Sequence, residues 1–167
     1  NSENELRRIR YELISSYILK SKAYCLPTGH NLNDHIETLL MKLSRGSGLK
    51  GLEGINHFSI LNEYNELKIY RPLISVKKKD LFDYCITNNT KPMDDVTNHD
   101  IKFSRNRIRN KVIPELEKIN SDFLNTVNRL TDVVKELNNY QNKSINGIFK
   151  KIKIEENDKK ISFSRTE

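Results

Sequence analysis

A short apolar run, Lys22 to Thr28 (KAYCLPT), breaks at Gly29 and passes almost at once into a segment with helical periodicity. This junction constrains the fold more than any other feature, because a strand that turns straight into a helix calls for a parallel neighbour. Pro27 has no N–H to give to a ladder, so the strand should be leaving the sheet there. Asn31 is a strong N-cap for the helix, and Asp34, three residues on, can complete a capping box with a shorter arm than Glu. Leu32, Ile36, Leu39, Leu40 and Leu43 supply its apolar face, and Gly46 and Gly48 end it.

The flanking segments extend the pattern. Leu6, Ile9, Leu13, Tyr17 and Ile18 predict an amphipathic helix over roughly residues 4–20. Gly51 and Gly54 keep the segment after the second helix loop-like. Leu67 to Leu73 (LKIYRPL) reads as the next strand, stopped by Pro72. Ser75 is placed to cap a helix that buries Leu81, Phe82 and Cys85 and runs out at Asn88-Asn89. The order helix, strand, helix, loop, strand, helix is that of an α/β fold, a parallel sheet covered by helices. Two strands are too few for an independent sheet, so residues 1–91 read as the last part of a larger domain.

Beyond the polar loop Pro92 to Asp100, residues 92–145 read as a helical subdomain. Ile108, Val112, Leu116 and Ile119 form one stripe, with Pro114 expected to kink or divide the helix at Ile113. Phe123, Val127, Leu130, Val134 and Leu137 form the next. Residues 146–167 alternate at Lys151 to Ile154 and Ile161 to Phe163, around Asn157-Asp158, which suggests a hairpin or the start of a further domain.

With 29 basic and 22 acidic residues the formal charge is +7, which favours a polyanionic partner such as RNA and equally suits a merely basic soluble protein. No run of 18 apolar residues occurs, so no membrane span is expected, and the first ten residues lack the features of a secretory signal. The absence of a leading Met suggests that something lies upstream. Cys25 and Cys85 stand far apart and outside any Cys-x-x-Cys pattern, as two thiols in a reducing cytoplasm would.

Reactive groups are densest in Gly29 to Thr38 (GHNLNDHIET), at the carboxyl end of the first strand, where α/β sheets bind ligands. Asp34 and Glu37 share a helical face, and Arg45 falls near the same line. Two carboxylates above an arginine suit an ammonium or a divalent cation at one end and an anion at the other; a capped, solvated acidic first turn has the same pattern. His30 and His35 are not an HExxH pair and lack a third ligand, so no metal site is assigned, and His30 reads either as a hydrogen-bonding group lining the cleft or as an ordinary surface histidine. Arg45-Gly46-Ser47-Gly48 suits a phosphate oxygen. Arg105, Asn106, Arg107 and Arg109, with Lys102 and Lys111, read as a basic ridge opposite the Ile108 stripe. Asp94, Asp95, Asn98 and Asp100 are the alternative partners for that ridge.

Taken in order, GHNLNDHIET, LSRGSGLKGLEGI (43–55), YRPL (70–73), DDVTNHDIKFSRNRIR (94–109) and VIPELEKIN (112–120) resemble the tRNA(Ile)-lysidine synthetases, members of the N-type PP-loop ATPases. The likeness covers roughly residues 5–120. The first motif is shared with 2-thiocytidine-forming relatives, which carry paired Cys-x-x-Cys motifs that this chain lacks. The resemblance implies a Rossmann-like PP-loop sheet (adenine nucleotide alpha hydrolase-like), of which this chain supplies the C-terminal part. It implies ATP and Mg²⁺, a tRNA(Ile) with a CAU anticodon and free L-lysine, and it leaves room for a homodimer. The implied enzyme adenylates C2 of the wobble cytidine, and the ε-amine of lysine then displaces AMP.

By the same resemblance Asp34 and Glu37 would hold lysine, with Arg45 and Arg71 completing the catalytic group. His30, Asn31, Arg45 and Ser47 would line the nucleotide cleft. Arg105, Asn106, Arg107, Arg109 and Lys111 would face the tRNA. Three departures stand out. Asn33-Asp34 replaces the usual aspartate pair, and His35 the usual Gln. No SGGxDS loop occurs, so this stretch is not expected to catalyse alone. A noncatalytic basic RNA-binding module or an inactive remnant is the first alternative, and a tRNA 2-thiocytidine-type PP-loop enzyme the second.

Overall fold

The computed structural model describes residues 3–93, 103–157 and 160–163, with side chains described over 5–93 and 103–151. Helix α1 (Glu3–Ser21) ends on Lys22, whose positive φ of 54° lets Ala23 N–H reach back to Ile18 O. Strand β1 (Leu26–Pro27) leads into helix α2 (Leu32–Ser44). A 3₁₀ turn (Gly51–Glu53), strand β2 (Phe58–Leu61), a second 3₁₀ turn (Asn62–Tyr64) and strand β3 (Leu67–Tyr70) follow. Then come helices α3 (Lys78–Thr87) and α4 (Ser104–Arg107), a π turn (Ile108–Val112), and helices α5 (Ile113–Ile119) and α6 (Phe123–Ile152). An antiparallel hairpin, β4 (Lys153–Asn157) and β5 (Lys160–Phe163), closes the described chain.

The first sheet has the order β1-β3-β2. β1 and β3 are parallel, as the strand-to-helix junction requires, with Leu26 opposite Ile69. β2 was expected to be loop; it adds to the other side of β3 in antiparallel sense, so the sheet is mixed. Both strands are shorter than the apolar runs that predicted them. Pro27 ends β1, and Pro72 lies in a turn beyond β3.

The interior is built on α2. Leu32 and Ile36 pack with Ile113 of α5 and Leu124 of α6, joined by Leu40, Ile108, Phe123 and Val127. Burying side chains of this kind contributes about 2 kcal/mol each. The capping box at the start of α2 is formed in full: Asp34 N–H donates to Asn31 Oδ1 at 3.1 Å, and Asn31 N–H to Asp34 Oδ2 at 3.0 Å. Ser75 does not cap α3. Its hydroxyl shares a hydrogen bond with His57 Nε2, and the first turn of α3 is held instead by Asn33, whose Oδ1 accepts from Lys78 N–H at 2.9 Å. An Asp at position 33 would accept in the same way, so this tie survives the departure from the family pattern.

Several apolar stripes turn out differently. Phe82, Leu43, Leu130 and Leu137 are exposed, while Thr131 and Asn138 are buried beside Val134 on the inner side of α6. Residues 145 and 146, where a boundary was expected, lie within unbroken α6. Among the described residues no helix is long and apolar enough to cross a membrane.

His35, 1% exposed, ties three elements together. Its Nδ1 accepts from Ile55 N–H at 2.9 Å, so Nε2 carries the proton toward Thr131 Oγ1 at 3.1 Å, and Thr131 in turn donates to Asn128 O. Gly54 is required for this arrangement. Its φ is +69°, and a β-carbon there would run into the His35 ring. Gly54→Ala is therefore expected to cost about 2 kcal/mol or more, with backbone strain and overpacking acting together. Equilibrium urea unfolding checks this; an unchanged midpoint would contradict the contact.

Candidate functional site

The carboxyl ends of β1 and β3 open beside the first turn of α2. Thr28 N–H donates to Tyr70 O at 2.9 Å, and Leu32 N–H to Val76 O at 2.9 Å, which fixes the start of α2 against the exit of β3. Four sequence-predicted residues meet here: His30, Asn31, Asp34 and Arg71. Nδ1 of His30 shares a hydrogen bond with the Thr28 hydroxyl at 2.9 Å. Burial pulls His30 below its ordinary pKa, Asp34 opposes the shift, and Arg71, Arg105 and Arg7 reinforce it. The imidazole is thus neutral near pH 7.

Arg71 directly follows β3. One terminal nitrogen donates to Asn56 O at 2.9 Å and Ser59 Oγ at 2.8 Å. Burial, offset by Tyr11 and reinforced by Arg7, holds its pKa below the usual arginine range. Its Nε is buried and, among the described residues, has no partner.

The predicted ridge does not stand clear of the acidic pair. Arg105 and Arg109 reach across to α2 and engage both carboxylates. Arg105 Nε donates to Glu37 Oε2 at 2.7 Å and its NH2 to Asp34 Oδ1 at 3.0 Å. Arg109 grips Glu37 with two nitrogens, Nε to Oε1 at 2.6 Å and NH2 to Oε2 at 2.9 Å, and reaches Asp34 Oδ1 at 3.5 Å. Hydrogen bonding to Glu37 raises the pKa of Arg109 further. The Glu37 side chain is 0% exposed and both its oxygens are engaged, whereas Asp34 keeps 19% exposure. Asp94 to Asp100, the alternative partners, and Lys102 lie outside the described residues. Asn106 is buried, Arg105 and Arg109 are partly exposed, and among the described residues of the ridge Arg107 and Lys111 stand on the exposed side.

Arg45 is not brought to this cluster. It caps the opposite end of α2, eleven residues from Asp34 and so about 16 Å along the axis. Ser47 sits in the loop beyond, packed against Gly51. The pairing of Arg105 and Arg109 with Glu37 escaped sequence reasoning; the only available signal was that each side offers two like charges one turn apart.

Among the described residues no three Asp, Glu, His or Cys side chains come together in a way that would hold a metal ion. Glu37 as it stands does not fit Mg²⁺, because two guanidinium groups enclose it, and Asp34, which keeps some exposure, does not make a Mg²⁺ site alone. An adenine nucleotide fits better. The cleft lies at the carboxyl ends of parallel strands, and Arg71 and Arg105 border His30 there.

Comparison with known proteins identifies the family. Residues 1–116 match the PP-loop domain. The chain is 39% identical over 155 residues to a tRNA(Ile)-lysidine synthase of Buchnera aphidicola subsp. Schizaphis graminum, covering 93% of this chain and 33% of that protein. It is 33% identical over 151 residues to one from Clostridioides difficile (strain 630), covering 90% of this chain and 31% of the other. With one from Oceanobacillus iheyensis it shares 34% identity over 165 residues, 98% and 35% of the two chains. The chain spans about a third of the length of these curated relatives. With a parallel β1/β3 pair opening onto the capped first turn of α2, and with more than half its length matched, this chain belongs to the PP-loop domain family.

Proposed function

We propose that this chain is part of an enzyme that uses ATP to convert the wobble cytidine of a tRNA(Ile) with a CAU anticodon to lysidine. The observation that carries the reading is the four-residue cluster at the cleft, in which the helix of GHNLNDHIET is locked to the helix of RNRIR by Arg105, Arg109, Asp34 and Glu37. The names of the curated relatives and the family's nucleotide chemistry point the same way.

In the first half-reaction, C2 of the cytidine is adenylated through its oxygen and pyrophosphate leaves. In the second, the ε-amine of lysine attacks C2 and AMP departs with that oxygen. His30, Asn31 and Arg71 would border the nucleotide, the Arg71 Nε supplying a desolvated donor. Neutral His30 can accept the proton that the lysine ammonium must lose before attack. Within the acidic pair the roles divide. Glu37, enclosed by two arginines, anchors them; Asp34, still partly exposed, is the carboxylate that meets the ammonium. Among the described residues of this segment, the exposed Arg107 and Lys111 would meet tRNA phosphates.

Turnover of preformed adenylated tRNA against lysine concentration, in the intact gene product, tests this. Asp34→Asn is expected to raise half-saturating lysine about thirtyfold, the equivalent of about 2 kcal/mol, while adenylation persists. An unaltered lysine dependence would remove Asp34 from the site. Absence of lysine-dependent AMP release in the parent would reject the reaction itself.

A further inference from the structure

We propose that Pro114 is a positioning residue: by holding the turn Ile108–Val112 open, it sets Arg105 and Arg109 on one side and the apolar face of α5 on the other in separate registers. The proposal rests on reading Arg105, Arg109 and the two carboxylates as the working cleft. An α-helix through this stretch would need an N–H at position 114 for the carbonyl of Asn110. Proline has none, and its ring presses on that carbonyl. The backbone responds by widening, and Ile113 N–H reaches back five residues to Ile108 O.

The widened turn takes up one extra residue, with consequences on both sides. In an unbroken α-helix Val112 would stand over Ile108, and Ile113 would lie about 140° round from it. Here Ile113 is 4% exposed and joins Ile108 in the core with Leu32 and Ile36, while Val112 is 39% exposed. Upstream of the extra residue, Arg105 and Arg109 still face Glu37, each with a nitrogen within 2.7 Å of a carboxylate oxygen. Without it, a helix seated by Ile113 would turn both arginines away from Glu37 by about 100°. Pro114 touches none of the reacting groups; it acts through the direction of Arg105 and Arg109.

The test uses the intact gene product, with tRNA-dependent pyrophosphate release and urea midpoints as readouts. Pro114→Ala permits a continuous helix and is expected to lower pyrophosphate release about tenfold or more, since small misplacements of catalytic groups are costly. In that background Arg109→Ala should no longer shift the urea midpoint as it does in the parent. Deleting Asn110 from Pro114→Ala returns Ile113 to four residues after Ile108 with the arginines undisturbed. That double variant is expected to recover release to within about threefold of the parent, a rescue that mere loss of proline stiffness would not give. Parental activity in Pro114→Ala, or no recovery on deletion, overturns the proposal. Should Pro114→Ala fail to fold, the double variant decides by the same criterion. Should the parent itself release no pyrophosphate, the proposed function fails separately. The midpoints still decide the register: an Arg109 shift kept in Pro114→Ala overturns it, and its loss there with return in the double variant supports it.

Discussion

Replacing Glu37 with Gln is expected to destabilise the protein by about 3 kcal/mol, the low end for breaking a buried ion pair. Glu37 accepts from Arg105 Nε and from two nitrogens of Arg109 with its side chain wholly enclosed. An amide offers one oxygen where the carboxylate offers two, and it turns an N–H₂ toward a guanidinium. Arg105 is 40% exposed and can recover part of its hydration, which keeps the loss toward the lower figure. Asp34→Asn should cost less, since Asn can still accept from the N–H of Asn31 and Asp34 holds Arg105 by a single contact of 3.0 Å. Urea unfolding of the two variants measures the difference. A solvated acidic first turn would predict changes within about 1 kcal/mol for both, and that outcome would contradict the lock.

Acid should weaken the fold through His35. Burial, reinforced by Lys135, pushes its pKa down to about 4 from an ordinary 6.5; the Ile55 backbone contact and Asp132 oppose the shift. The sign follows from which state binds the proton. The unfolded chain takes it up as pH falls through 6.5, the folded chain only near 4, so the stability due to neutral His35 is complete above 6.5 and drains away between the two values. The loss amounts to about 3 kcal/mol over the window, or about 2.5 kcal/mol by pH 4.5. His35→Gln supplies the control, because Gln can accept from Ile55 N–H and donate to Thr131 without titrating. Stability of the parent relative to this variant should fall by that amount from about pH 8 to about pH 4.5. A difference that stays flat with pH would show that His35 does not hold the neutral form.

The strand-to-helix junction was legible because every contact that makes it is local. Asn31 and Asp34 are three residues apart, and their reciprocal cap forms whatever the rest of the chain does. Parallel pairing of β1 with β3 follows from the same junction, since a strand leading straight into a helix must find a parallel neighbour. The end of α3 at Asn88-Asn89 was legible too, because Asn tolerates the positive φ of 55° found at Asn89. β2 was not. It is an edge strand with only part of its surface covered, so Phe58 to Leu61 never needed the clean alternation that marks a buried strand.

What the sequence determined by itself, then, is the capped start of α2 at the end of a parallel pair, where His30, Asn31 and Asp34 stand; Arg71 was added only by the family resemblance. What only the tertiary structure decided is which charges meet. Arg105 and Arg109 find Asp34 and Glu37 across 68 to 75 residues of chain, a distance at which spacing carries no information. Spacing left Glu37 open between a ligand-facing carboxylate and a solvated first turn; the side chain is wholly buried, because α4 and the π turn after it bring Arg105 and Arg109 to cover it. The register that aims those cations hangs on one missing N–H at Pro114. A single residue of phase in a helix is too small to leave a mark in hydrophobic periodicity, and the core contact of Ile113 fixes it.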